Sequence, residues 1–227
     1  MVQQTSSDSS RTVWVVRHGE RADNVDNEWK KTAPRGAWDD PPLTQRGLTQ
    51  AKECGIRLKE EPIDHIVTSP FLRCLQTTKQ ILQQRSKESN SVKILVEPGF
   101  GEQMDVCQSP PGYLPIEAAK EHLPQIDLSY TPVVRQAQKP EDDCTPRIRK
   151  TIKEMLERLK GNILIISHGS PIQAIHLVLT NQSFYPGQCT ISSFQQVATS
   201  EQFDRLLAGD KSHLSDPTNL RDSRSDK

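Results

Sequence analysis

Apolar side chains are in short supply: hydrophobic residues make up 33% of the 227, low for a compact domain. The deficit predicts long polar loops and at least one solvated tail. The length still suits one domain with a sizeable core, with appendages at most. A dominant charge is lacking too. The 29 basic and 29 acidic residues cancel, so the chain has no global pull toward nucleic acid or an anionic membrane, and any positive site must be local. Cys54, Cys74, Cys107, Cys144 and Cys189 are odd in number and form no C-x-x-C pair, which argues against a disulfide framework or a zinc site. No apolar run approaches the length of a membrane span. Met1 to Ser7 has neither the basic nor the apolar region of a signal peptide. The expectation is a cytoplasmic protein. An H-E-x-x-H pair, an aspartate cluster and a Walker-type glycine loop are missing as well, so no metal and no nucleotide cofactor are expected.

What the chain does have is concentrated in Val13-Trp14-Val15-Val16-Arg17-His18-Gly19-Glu20-Arg21. A short β-branched run reads as a buried strand, and it stops abruptly at a polar tetrad. In an α/β sheet such a tetrad lies just beyond the carboxyl end of a strand, where chemistry collects. Arg17 and Arg21 bracket His18 with positive charge, which discourages its protonation. A ring nitrogen lone pair is thereby kept available for nucleophilic attack.

The remaining periodicities fill in an α/β pattern. Residues 1–10 are polar and Ser-rich and are expected to be disordered. Residues 22–42 form a polar loop whose Trp29 and Trp38 either anchor it to the body or wall a pocket. Thr44 caps a helix running to about Glu60. His65–Thr68 is a second strand, and Ser69-Pro70 reads as an N-cap with proline at the first helical position, opening a helix to Gln84. Lys93–Val96 is a third strand. Residues 103–140 are proline-rich, with a short helix only over Ile116–His122. Thr145–Leu159 is amphipathic and ends at Gly161. Asn162–Ser167, the most apolar strand, is expected to be central and buried on both faces, with His168-Gly169-Ser170-Pro171 turning into a helix that ends near Leu179. Thr199 and Gln202 allow a capping box before a final helix, but a hairpin pairing Thr190–Val197 with Phe203–Ala208 is favoured. Residues 215–227 are expected to be a disordered tail.

Four marks in order give this pattern a resemblance: Arg17-His18-Gly19-Glu20, Pro42-Leu43-Thr44-Gln45-Arg46-Gly47, Thr68 to Thr77 with Ser69-Pro70-Phe71-Leu72-Arg73, and Ser167-His168-Gly169. Together the chain resembles the histidine phosphatase superfamily, the phosphoglycerate mutase-like phosphatases, over a domain of residues 11–214. Val96 to Glu102, Leu72 to Thr77 and Glu20-Arg21 look closest to the phosphatase domain of the suppressor-of-T-cell-receptor-signalling proteins and related steroid-phosphate phosphatases. The fold implied is a three-layer sandwich, a mostly parallel central sheet with helices on both faces.

The reaction implied is phosphomonoester hydrolysis through a phosphohistidine on His18. A phosphate dianion needs cationic donors around its free oxygens and a proton for its leaving oxygen. Arg17, Arg21 and Arg73 supply planar, permanent charges for the first need. By resemblance His168 joins them in binding phosphate and stabilising the transition state. The family's acid comes from the region after the third strand, where Glu97, Glu102 and Asp105 all qualify; the branch resemblance selects Glu102. His65, His122, His176 and His213 are read as structural. Two alternatives remain: a phosphoglycerate mutase-type phosphotransferase, and an inactive phosphate-binding or interaction domain. The expected partner is a phosphorylated small molecule or phosphotyrosine, with neither nucleic acid nor membrane, and a homodimer is open. The ubiquitin-binding and Src-homology modules of those signalling proteins are absent from the sequence, so recruitment of a particular protein target is not expected.

Overall fold

Alternating branched residues in the strands settle the architecture, because each strand presents one apolar set to either face of a single sheet. A computed structural model describes residues 10–86, 92–136, 141–197 and 200–223. Six strands, β1 (Thr12–Arg17), β2 (His65–Thr68), β3 (Ile94–Val96), β4 (Ile163–Ser167), β5 (Ile191–Gln196) and β6 (Phe203–Asp210), lie in the order β3-β2-β4-β1-β5-β6. The first four in that order run parallel, and β5 and β6 close the edge as an antiparallel hairpin. The favoured hairpin is therefore present; Thr199, half of the rival capping box, falls outside the described residues.

Residues of opposite parity feed two separate cores. Trp14, Val16, Ile66, Leu164 and Ile166 meet α2 (Gln45–Leu58), α3 (Leu72–Leu82) and α4 (Ile116–His122) on one face. Val13, Val15, Val67, Ile163 and Ile165 meet α5 (Thr145–Arg158) and α6 (Gly169–Thr180) on the other. This is the three-layer sandwich expected, with β4 buried at every position. All five cysteines are buried and none is in a disulfide. Among the described residues no helix is long and apolar enough to cross a membrane.

Local chemistry explains most of the boundaries. Thr44 caps α2, its hydroxyl accepting from Gly47 N at 3.0 Å. Residues 22–42 are more ordered than a plain loop, holding α1 (Trp29–Thr32) between two 3₁₀ turns. Trp29 ties the segment to itself by donating its indole N–H to Trp38 O at 2.9 Å. The start of α3 differs from the sequence reading. Its cap is Phe71, without any side-chain hydrogen bond; the Ser69 hydroxyl accepts only a long 3.5 Å bond from Phe71 N and lies 2.7 Å from His168 Nε2.

The tail differs as well. Of residues 215–227, those at 215–223 lie along the body. Leu220 is 2% exposed within the first core, and its carbonyl accepts from Gln188 N at 2.7 Å. A single large apolar residue in a charged stretch was too little periodicity to read as structure, yet burying it contributes about 1.5–3 kcal/mol.

Candidate active site

The parallel register carries the site. β1 pairs with β4 so that Arg17 lies opposite Ser167, and the residue following each strand is a histidine. His18 and His168 thus emerge side by side at the carboxyl ends, their ring centroids 5.2 Å apart and edge-on. Both are fully buried.

His18 is held in one tautomer. Its Nδ1 donates to Gly19 O at 2.8 Å, so the proton is on Nδ1 and Nε2 keeps its lone pair. That Nε2 is buried with no hydrogen-bond partner among the described residues. Its pKa is lowered well below 6.5, first by burial and then by Arg73, Arg17 and Arg21. The sequence reading had credited the arginines; desolvation is the larger cause. His168 is likewise lowered well below 6.5, first by burial, then by Arg73, with His18, Arg21 and Arg17 adding to it.

A neutral His168 faces two ways. Nε2 is 2.7 Å from Ser69 Oγ, while Nδ1 is 3.5 Å from Glu102 Oε2. A Ser69 hydroxyl that donates to Nε2 leaves the His168 proton on Nδ1, on the Glu102 side. Ser69 is thus a site residue that the sequence reading took for a helix cap. The only sequence signal for it was its position at the carboxyl end of β2, matching those of His18 and His168.

Three arginines converge from two segments. Arg17, Arg21 and Arg73 all line a cavity of about 260 Å³ together with Trp38, Asp39, Glu102, Val106, Tyr185, Gln188, Arg221 and Ser223. Each is fixed by a different partner. Arg17 Nη1 donates to Pro186 O and Arg221 O at 2.8 and 2.6 Å. Arg21 pairs with Asp23 at 2.9 Å. Arg73 Nη1 donates to Asp39 O at 2.9 Å, and its Nη2 is 3.5 Å from Glu102 Oε2. The side chains of Arg17 and Arg73 each retain a buried Nε with no partner among the described residues. A tetrahedral oxyanion offers oxygens to such donors.

Of the three candidate acids, only Glu102 enters the cavity. Glu97 is spent on the fold: its carboxylate accepts from Gly99 N, Tyr130 Oη, Val133 N and Val134 N at 2.7–3.0 Å. Asp105 is exposed on the turn Met104–Val106. Arg147 of α5 positions the Glu102 loop, donating to Gly99 O, Gly101 O and Glu102 O at 2.7–3.0 Å while paired with Glu141 at 2.7 Å. Nothing in the sequence marked Arg147, since its carbonyl partners leave no residue pattern.

His18, Glu102 and His168 bring one donor atom each within 4.8 Å of one another, close enough to hold a metal ion. The charge around them opposes it. Arg17, Arg21 and Arg73 all act on both histidines, and three fixed guanidinium charges repel a divalent cation as strongly as they attract an oxyanion.

Comparison with known proteins agrees with this geometry. The histidine phosphatase superfamily, branch 1, matches over residues 13–192. The chain is 29% identical over 209 residues to the ecdysteroid-phosphate phosphatase of Drosophila melanogaster, covering 75% of this chain and 27% of that protein. It is 30% identical over 204 residues to the human ubiquitin-associated and SH3 domain-containing protein B, covering 72% and 31%. The chain therefore spans about a third or less of the length of these two relatives. Among solved structures it superposes on the ecdysone phosphate phosphatase of the silkworm Bombyx mori, crystallised with tungstate, at a TM-score of 0.65 and 24% identity, over 87% of this chain and 92% of that one.

Proposed function

The chain belongs to the histidine phosphatase superfamily, branch 1, and from that premise we propose that it hydrolyses phosphomonoesters through a phosphohistidine on His18. One observation carries the reading: a buried, unpartnered His18 Nε2, left without a proton because Gly19 O holds the ring's proton on Nδ1, under the charge of the three arginines that line the cavity.

The steps follow from these atoms. Arg17, Arg21, Arg73 and His168 Nδ1–H bind the non-bridging phosphate oxygens, leaving phosphorus in front of His18 Nε2. The lone pair attacks phosphorus, the bond from phosphorus to the ester oxygen breaks, and Glu102 in its acid form delivers a proton to that oxygen, releasing the alcohol. The resulting Glu102 carboxylate then takes a proton from water as its oxygen attacks the phosphohistidine. The P–N bond breaks, phosphate leaves, and His18 and Glu102 are restored. Charge stabilisation comes from fixed guanidinium groups already in place, which costs no reorganisation during the reaction.

A named phosphatase among the relatives, ecdysteroid-phosphate phosphatase, and the mixed walls of the cavity support a phosphate ester of a largely apolar alcohol or a phosphotyrosine as substrate class. Trp38, Val106 and Tyr185 supply the apolar wall, so the second reading of the tryptophan pair applies to Trp38. No metal takes part in any step, and activity should survive chelation. The test is turnover of a panel of alkyl and aryl phosphomonoesters by the purified chain, with and without 3-phosphoglycerate and EDTA. Phosphate release that needs neither additive, and is inhibited by vanadate, is expected. Silence toward every ester, transfer between phosphoglycerates without net phosphate release, or loss in EDTA restored by magnesium would overturn the proposal.

A further inference from the structure

We infer that the segment following Leu214 is a working part of the phosphate site: its main chain holds Arg17 in place through the carbonyl of Arg221. The inference rests on the proposed role of Arg17 in binding phosphate.

The segment is fastened at four points. Ser215 N donates to Glu53 at 3.2 Å. Arg46 pairs with Asp216 at 2.9 Å and also donates to Thr218 O. Leu220 plugs the core, with its carbonyl accepting from Gln188 N. Arg221 O then accepts from Arg17 Nη1 at 2.6 Å, shorter than the 2.8 Å bond from the same nitrogen to Pro186 O. Arg46 in turn donates to Glu20 at 2.8 Å. The strap thus grips both polar marks at the amino-terminal side of the site, Arg17 from one and Arg46 from the other.

Geometry makes Arg221 the specific point. It adopts φ of 51°, in the left-handed region that most residues avoid, and this turn is what aims its carbonyl inward. A guanidinium anchored at Nη1 by two carbonyls has its fork direction set, with the unpartnered Nε left over for a ligand. Without Arg221 O, Arg17 loses its shorter anchor and is left with Pro186 O and the Tyr185 ring, 5.3 Å from its guanidinium. Preorganisation of a charged donor would then be lost.

The carbonyl can be moved without removing the plug. Arg221→Pro locks φ near −65° and swings the carbonyl away, whereas Arg221→Gly deletes the side chain and tolerates the left-handed turn. Vanadate affinity by calorimetry, and KM and kcat on an aryl phosphate, are read for both variants, for Arg17→Ala, and for Arg17→Ala combined with Arg221→Pro. Arg221→Pro should weaken vanadate binding and raise KM on the order of tenfold, the loss of one charged hydrogen bond, with kcat less affected. Arg221→Gly should shift both severalfold less. In the Arg17→Ala background, Arg221→Pro should add nothing, because the strap acts through Arg17. A chain ending at Leu214 serves if the proline variant melts early. It should bind vanadate as weakly as Arg17→Ala, and a peptide of residues 215–223 should restore part of the affinity. Losses that add in the double variant, or variants as tight as the parent, would overturn the inference while leaving a parent that binds vanadate and hydrolyses esters intact as a phosphatase. A parent that does neither would overturn both.

Discussion

The two histidines differ in which nitrogen is occupied. His18 spends Nδ1 on Gly19 O and keeps Nε2, while His168 spends Nε2 on Ser69 and keeps Nδ1. In the proposed mechanism this makes one the nucleophile and the other a donor. Ser69→Ala removes the hydroxyl that fixes the His168 proton, and should lower kcat about tenfold, the worth of one such bond, with KM less affected; an unchanged kcat would leave Ser69 a packing residue. Glu102→Gln tests the acid. General acid catalysis contributes ~10²–10⁴-fold, so the loss should be of that size on an alkyl phosphate and much smaller on an activated aryl phosphate, whose oxide leaves nearly unaided. Asp105→Asn, on the exposed turn, should show no such contrast. Equal losses on both esters would make Glu102 a binding group. The lowered pKa of His18 also predicts a pH profile. Its neutral form persists to well below 6.5, so the acid limb of kcat/KM, corrected for ionisation of the substrate, should fall below that value. A limb at 6.5 or higher would contradict the burial argument.

At the scale of elements, two glycines let the loop after β1 and the first turn of α2 interlock. A Cβ on Gly19 would lie against Gly47 O, and a Cβ on Gly47 would run into the main chain of Glu20. Thr44 N donates to Glu20 O at 2.9 Å, and the Thr44 hydroxyl donates to Glu20 Oε1 at 2.7 Å. Gly47→Ala should therefore cost about 1–3 kcal/mol of stability, an overpacking penalty, and lower activity further by displacing His18. A melting curve and an assay on one preparation check both, and an alanine variant with parental values would contradict the close approach. Elements of this kind were legible in sequence because periodicity survives tertiary folding. β4 is an unbroken apolar run, α5 an amphipathic stripe, and the hairpin follows from two short strands about a polar turn. The sequence reading placed His18, His168 and the three arginines at strand ends; in the structure the three arginines line one cavity and the two histidine rings lie 5.2 Å apart. Three features besides Arg147 were not legible. Ser69 looked like a cap because Ser-Pro before a helix has that chemistry locally, and only the distant His168 redirects it. Glu97 looked available until four donors from residues 99–134 were seen to converge on it. The strap at 215–223 acts mainly through carbonyls, which no residue type announces.

For the whole molecule, net neutrality hides a divided charge. Arg17, Arg21 and Arg73 gather in one cavity, and burial, ahead of their charge, depresses His18 and His168 well below 6.5, with His176 lowered to about 4, again chiefly by burial. Below about 6.5 the unfolded chain takes up protons at these three positions that the folded chain refuses, so stability falls as pH drops. Asp40 runs the other way. Burial raises it from 3.8 to about 6, so the folded chain holds a proton there that the unfolded chain has released, and this group alone favours the fold on acidification from about 6 toward 4. Three histidines outweigh one aspartate, and Tm should decline from pH 7 to pH 5; a rise would contradict the burial of the paired histidines. The phosphatase reading itself stands or falls on where the phosphoryl group rests between substrate and water. Rapid quench with ³²P-labelled ester should trap label on the protein that is stable in base, lost in acid and located on His18. The His18→Ala variant should trap none. Label on serine or cysteine, or turnover with no trapped label even as the quench time is shortened, would contradict the account.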